Sequence, residues 1–259
     1  ATTSSFPSLP IDKNLPEAER LRLAADVSAQ HFEHLLGFLS YLDSNSTAMV
    51  RRAWQFADQA HRNQWRSSGD PYITHPIAVA GICANWKLDA QALSAALLHD
   101  AMEDCGITKD DLRQQFDETV AELVDGLTKL DKLHFNSREE TQAESFRKML
   151  LAMAKDVRVI LIKLADRTHN MRTMGDMPRS KWGRISSETL EIFAPIAHRL
   201  GLNQSYRELQ DLAFRHLHPW RYDHKADHAV LHALGEGDVL CAGEHIGLLD
   251  LVVHDGGGV

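Results

Sequence analysis

Cysteine is scarce in this chain: Cys83, Cys105 and Cys241 are the only three, an odd number without Cys-x-x-Cys spacing. That excludes a disulfide framework and a cysteine-ligated structural zinc, and it reads as ordinary thiols in a reducing compartment, the cytoplasm. Long apolar runs are missing too, since none reaches the roughly 18 residues that a membrane-crossing helix needs. The opening ATTSSFPSLP has neither the basic start nor the apolar stretch of a secretory signal. Positive charge is short, with 28 Lys and Arg against 36 Asp and Glu and a net charge of −8. A nucleic-acid backbone favours a basic surface, so bulk charge argues against that partner, although a cation and local Arg or Lys still suffice to hold a polyphosphate. Strand-like alternation of useful length is absent before residue 225.

What remains is helical. The chain has 259 residues, 44% hydrophobic and 25% charged, enough for one sizeable helical domain with attachments. Residues 1–16 are rich in Ser, Thr and Pro and are expected to be mobile, so 1–24 reads as a mobile segment and helix start. Apolar residues then recur at helical spacing through Leu21, Val27, Phe32, Leu35 and Leu39. Ser44 or Ser46 is a candidate cap for the next helix, to about Asn63. After a Gly/Pro-marked loop from Arg66 to Tyr72, Asp89 to Asp104 reads as one helix stopped by Cys105-Gly106, and Thr108-x-x-Asp111 as a cap for the next. Helical patterns continue over 118–133, 138–154, 157–174, 180–200 and 203–217. The fold class expected is all-α.

Composition changes abruptly near Tyr222. Residues 223–259 hold one basic residue, Lys225, against 27 elsewhere, with seven of the 15 glycines and five of the 15 histidines. This tail is expected to be poorly ordered.

The strongest chemical signal is Leu97-Leu98-His99-Asp100-Ala101-Met102-Glu103-Asp104. On a helix His99 and Glu103 share a face, as do Asp100 and Asp104. Burying such a cluster without partners costs several kcal/mol, and a divalent cation offers the missing charge. A bare His-Asp pair is more often a solvated helix end, but here it follows an Ala/Leu run and precedes Glu-Asp. His75, just after the loop, would alone read as a structural histidine, and Asp166, at the end of an apolar helix, as an ion-pair partner of Arg167 or another base. Together the order His…His-Asp…Asp is a mixed nitrogen and oxygen ligand set suited to Mn²⁺, Mg²⁺, Fe²⁺ or Zn²⁺ with positions left for water and substrate. His61 and His169 read as structural or pocket-wall residues, His198 and His216 as helix-packing residues, and His31 and His34 as surface groups.

Several stretches resemble the hydrolase domain of the RelA/SpoT family of alarmone enzymes, and most of all its SpoT-like bifunctional branch. They are Arg66-Ser-Ser-Gly-Asp-Pro-Tyr-Ile-Thr-His75-Pro, Ala96-Leu-Leu-His99-Asp100-x-x-Glu103-Asp104, Glu122-Leu-Val-Asp-Gly-Leu-Thr-Lys, Ile162-Lys-Leu-Ala-Asp166-Arg-Thr-His-Asn170-Met-Arg-Thr173 and Glu188-Thr-Leu-Glu-Ile-Phe-Ala-Pro-Ile-Ala-His198-Arg-Leu-Gly. The resemblance runs over about residues 25–222 with spacings intact. It implies an HD-type helical bundle over 25–200, with 201–222 a helical linker that leads to a synthetase domain in longer relatives. It also implies removal of pyrophosphate from the 3′ position of guanosine tetra- and pentaphosphate. By the same resemblance His75, His99, Asp100 and Asp166 would hold one Mn²⁺, and Glu103 and Asp104 would orient and deprotonate the attacking water. Arg66 would pack on the guanine, Ser67 stands where many relatives have a basic residue, and Asn170 and Thr173 match positions lining the nucleoside pocket.

The tail departs from that family. No synthetase motif is visible, so no alarmone synthesis is expected, and 223–259 reads as either a divergent extension or the product of a reading-frame shift. Two other functions compete with the hydrolase: an HD phosphohydrolase of a different nucleotide, and a catalytically silent regulatory domain. The Arg66 loop and the Glu103-Asp104 pair favour the alarmone, and retention of all the ligand candidates argues against silence. Neither a nucleic acid nor a membrane is expected as a partner.

Overall fold

Helix starts in this chain are set by short polar side chains that catch otherwise unpaired amides. Asp43 accepts from the Ser46 amide at 2.7 Å, Asp89 from Ala92 at 2.8 Å and Asp156 from Arg158 at 2.9 Å. Thr108 and Asp111 form a reciprocal capping box. The cap expected from Ser44 or Ser46 is therefore Asp43, which holds the last extended backbone position before the helix while Ser46 supplies the amide.

The structure, a computed structural model, describes residues 10–131 and 155–219. In chain order the elements are α1 (Glu17–Phe38), α2 (Ser44–Ala60), α3 (Thr74–Asn85), α4 (Ala90–Leu98), α5 (Ala101–Asp104), α6 (Lys109–Gln115), α7 (Glu118–Asp131) and α8 (Val157–Arg172). A 3₁₀ turn (Met174–Asp176), α9 (Arg179–Glu188), a π-helical turn (Thr189–Phe193), α10 (Ala194–Arg199) and α11 (Asn203–Leu217) follow. Among the described residues there is no strand, only an isolated bridge between Trp65 and Pro71, and the fold is all-α. The helix expected over 138–154, the first nine residues and the tail 223–259 lie outside the described residues. Contacts separate a first unit ending at Leu217 from the remainder of the chain.

Two expected continuous helices are interrupted. The run 89–104 breaks at His99-Asp100 because the Ala96 carbonyl, which a continuing helix would offer to the Asp100 amide, accepts from His99 Nδ1 instead. The run 180–200 widens to a π turn before Pro195, whose missing amide and crowding ring disfavour an ordinary turn there. Gly106, with a φ of 68°, closes α5 as expected of a glycine stop.

Among its described residues the first unit has two apolar clusters. The larger is centred on α4, whose residues Ala92 to Leu98 are all buried, and the small Ala92, Ala95 and Ala96 let it lie close to α2, α3 and α7. The smaller joins one face of α8 to the π turn, α10 and α11. Helix α8 serves both, with Val159, Ile162 and Ala165 in the first and Ile160, Leu164 and Met171 in the second. It is pinned to α7 at Gly126, where an added Cβ would meet Val159 Cγ2 at 3.1 Å. Val159 is β-branched and stiff. Gly126→Ala is expected to cost about 1 kcal/mol, a clash of 1–3 kcal/mol offset by nearly 1 kcal/mol of helix propensity. A lower urea midpoint with unchanged slope, and a less than additive loss when combined with Val159→Ala, would show it.

Candidate functional site

Three elements meet at one point. His75 lies in the first turn of α3, His99 and Asp100 form the break between α4 and α5, and Asp166 lies inside α8. His75, His99 and Asp166 are buried, and their ligand atoms all lie within 4.8 Å of one another. His75 Nε2 is 3.2 Å from Asp166 Oδ1 and 3.9 Å from Asp100 Oδ2, while His99 Nε2 is 3.1 Å from Asp100 Oδ2 and 3.9 Å from Asp166 Oδ1. Asp100 thus adjoins both rings, although it stands outside the tightest three-residue group.

The cluster fits a divalent cation on its own geometry. A carbonyl can only accept, so the 2.7 Å contact to Ala96 places a proton on His99 Nδ1 and makes the buried Nε2 the nitrogen that faces the cluster. That nitrogen has no hydrogen-bond partner, since its approach to Asp100 lacks hydrogen-bond alignment. Two imidazole nitrogens and two carboxylates around such an atom make the donor set of a borderline metal ion. In the metal-free chain protons take its place electrostatically. Burial opposes charge on His99, yet Asp100, Asp166 and the Ala96 carbonyl outweigh it and raise the pKa to about 9. Burial pushes Asp100 and Asp166 upward, but His99 and His75 hold Asp100 well below the usual carboxylate range, and Lys163 with both rings does the same for Asp166. Burial lowers His75.

Side chains around the cluster hold the candidate ligands from outside. Tyr72 donates its hydroxyl to Asp100 Oδ2 at 2.7 Å, Asn170 Nδ2 donates to Asp166 Oδ1 at 2.6 Å, and Lys163 Nζ lies 2.8 Å from Asp166 Oδ2. His169 Nδ1 is 2.8 Å from His75 Nδ1. Asp166 therefore pairs with Lys163, whereas Arg167 turns away to Glu188 and the Phe193 ring. Sequence reasoning missed Tyr72, Lys163 and the role of His169. Only Lys163, three residues before Asp166 on the same helix, left a spacing that would have found it.

Above the cluster opens a cleft of about 400 Å³, within the range of small-ligand sites. Its lining includes His75, Asp100 and Asp166 on one side, and Arg66, Ser67, Asn170 and Thr173 among the rest. Arg66 Nη2 donates to Thr173 Oγ1 at 3.1 Å, which ties the loop to the end of α8. The loop is closed by the Arg66 amide to the Asp70 carbonyl and by the Gly69 amide to the Arg66 carbonyl, with Gly69 at a φ of 95° that favours glycine. Glu103 lines the cleft and is exposed; Asp104, also exposed, is not among the lining residues, so the two acidic neighbours part company.

The remaining histidines pack. His61 is buried and stacks on Tyr72 with ring centres 4.8 Å apart, His198 lies against Tyr206 and His216 against Trp182. His34 is exposed, while His31, expected at the surface, is half-buried on α1. Cys83 is buried and Cys105 partly so, both as free thiols.

A family model described as an HD domain matches residues 53–203, more than half of the chain, and the chain belongs to that family. Within it, the chain is similar to one segment of several longer RelA/SpoT-type proteins. It is 57% identical over 182 residues to the guanosine-3′,5′-bis(diphosphate) 3′-pyrophosphohydrolase of Vibrio cholerae, covering 70% of this chain and 26% of that protein. It is 55% identical over 183 residues to the bifunctional (p)ppGpp synthase/hydrolase SpoT of Escherichia coli K12, covering 71% and 26%. Against a GTP pyrophosphokinase of Streptomyces coelicolor it is 53% identical over 182 residues, covering 70% and 21%. The matched region spans about a quarter of the length of the first two relatives. A solved structure described as a metazoan ortholog of SpoT aligns with a TM-score of 0.43 and 23% identity, over 76% of this chain and 98% of that one, too loose a likeness to inform the site.

Proposed function

We propose that this chain hydrolyses guanosine 3′,5′-bis(diphosphate) and its pentaphosphate counterpart to GDP or GTP plus pyrophosphate, with Mn²⁺ as its cation. The observation that carries the reading is the unpartnered, buried His99 Nε2 among His75, Asp166 and Asp100 on the wall of a nucleotide-sized cleft. The names of the relatives above supply the substrate.

His75, His99, Asp166 and Asp100 hold the cation, which when bound lowers the pKa of water and offsets charge on the attacked phosphoryl group. Glu103, on the cleft wall, orients the attacking water and accepts its proton. Asp104, although not among the lining residues, shares that task with Glu103 in this reading. As the new bond forms between the water oxygen and phosphorus, the bond to the 3′ oxygen breaks, and that oxygen takes up a proton. Arg66 presents a planar guanidinium for stacking on guanine, held at the wall by Thr173, while Ser67 and Asn170 complete the nucleoside side. Residues 25–200 form the catalytic unit in this reading, with 201–222 leading out of it.

No helix among the described residues is long and apolar enough to cross a membrane. The proposed setting is the cytoplasm, with neither membrane nor nucleic acid as a partner. The test is incubation with guanosine tetraphosphate with and without Mn²⁺, following GDP and pyrophosphate, with Asp100→Ala as control. Metal-dependent release that the variant lacks is expected. Bound Mn²⁺ without release would favour a silent regulatory domain.

A further inference from the structure

The two candidate ligand histidines are held from behind by partners of different chemistry. His99 Nδ1 faces the Ala96 carbonyl, an obligate acceptor, so its proton has one place to be. His75 Nδ1 faces another imidazole nitrogen, His169 Nδ1, at 2.8 Å. A contact of that length between two ring nitrogens requires that one carry a hydrogen and the other a lone pair, and either ring can take either part. The front of His75 makes the choice consequential. Its Nε2 lies 3.2 Å from Asp166 Oδ1 and 3.9 Å from Asp100 Oδ2, so without a cation a proton on Nε2 is drawn toward carboxylates. A ligand needs the opposite tautomer, with the lone pair on Nε2 and the proton on Nδ1.

We propose that His169 is a positioning residue that accepts the His75 Nδ1 proton and so fixes the tautomer in which His75 can bind a divalent cation. This rests on the metal-centre reading of the cluster. The placement supports it in two ways. His169 stands three residues after Asp166 on α8, so one helix supplies both a ligand and the partner that orients another ligand. Its backbone carbonyl is in turn gripped by the Thr173 amide and hydroxyl, each at 3.1 Å, at the end of the helix where Arg66 is also tied. His99 Nδ1 is thereby fixed as a donor, and His75 is the ligand whose tautomer depends on a second side chain.

Three forms of the full chain test this, with Mn²⁺ alone as the probe and affinity read by electron paramagnetic resonance. In His169→Asn the amide oxygen takes the place of Nδ1, two bonds beyond Cβ, and still accepts; in His169→Leu nothing accepts. Loss of such an orienting partner typically weakens metal binding about 10- to 100-fold. The Leu variant is expected to show that loss, and the Asn variant to stay within a few-fold of wild type. In the metal-free protein, ¹⁵N shifts of the His75 ring should change tautomer balance in the Leu variant more than in the Asn variant. Circular dichroism melts establish that each variant is folded. Wild-type affinity in a folded Leu variant, or equal losses in Leu and Asn, overturns the proposal. Absence of Mn²⁺ binding by the wild type sinks the metal centre itself, and this role with it.

Discussion

Asp166→Asn is expected to reduce metal-dependent pyrophosphate release about a thousandfold or more. The substitution keeps the shape of the side chain and removes one buried negative charge from a group in which His75 Nε2 and Asp166 Oδ1 lie 3.2 Å apart. A cation in such a site contributes several kcal/mol to transition-state stabilisation, and each 1.36 kcal/mol is tenfold in rate, so about three orders of magnitude are at stake. The change also leaves Lys163 without its carboxylate in a nearly buried setting, and breaking a buried pair on one side costs about 3–5 kcal/mol. Loss of activity by unfolding is therefore a real confound, and Asp166→Asn with Lys163→Met removes both charges and should recover much of the stability. Melting curves and initial rates on the single and double variants separate the two effects. A folded double variant that keeps a tenth of the wild-type rate would exclude Asp166 as a ligand.

A large loss of stability without a change of charge is expected at Leu97. Its side chain is fully buried in the α4-centred cluster, two residues before His99. Leu→Ala in a packed interior costs about 2–5 kcal/mol, the transfer free energy plus the cavity left behind. Domains of this kind hold about 5–15 kcal/mol in all, so Leu97→Ala removes a large share. Val157→Ala is the comparison, because Val157 is 42% exposed and exposed positions usually change stability by no more than about 0.5 kcal/mol. Urea titration of both should show a separation of at least about 1.5 kcal/mol; a Leu97→Ala loss below about 1 kcal/mol would mean that the cluster collapses to fill the space.

Much of the architecture was legible because it is local. Apolar spacing marks α1 and α8, Thr108-x-x-Asp111 marks a helix start, and Cys105-Gly106 marks an end, since all of these work over a few residues of chain. The choice of Asp43 over Ser44 and Ser46 was not legible, because all three residue types cap and only the backbone decides. Nor was the break at His99, where Ala, Leu and Met on both sides favour continuing the helix and a side-chain bond to Ala96 overrides them. The π turn before Pro195 is a similar local widening that periodicity does not register. At the site, the sequence named His75, His99 and Asp166, which the structure brings together, but not the side chains behind them. Tyr72 meets Asp100 across 28 residues and His169 meets His75 across 94, and spacing carries no information at that range.

The helix that carries Asp166 is shared by both apolar clusters, with Ile162 and Ala165 facing one and Ile160 and Leu164 the other. Its backbone amides cannot reach solvent by peeling away one side of the unit. Hydrogen exchange along Ile160 to Ala165 should then proceed only through openings that disrupt both clusters at once, near the global limit. Frayed ends and loops open far more often than that. The carboxylate of Asp166 is accordingly mounted on one of the slowest-opening stretches among the described residues, and its position persists through the local fluctuations that open the cleft.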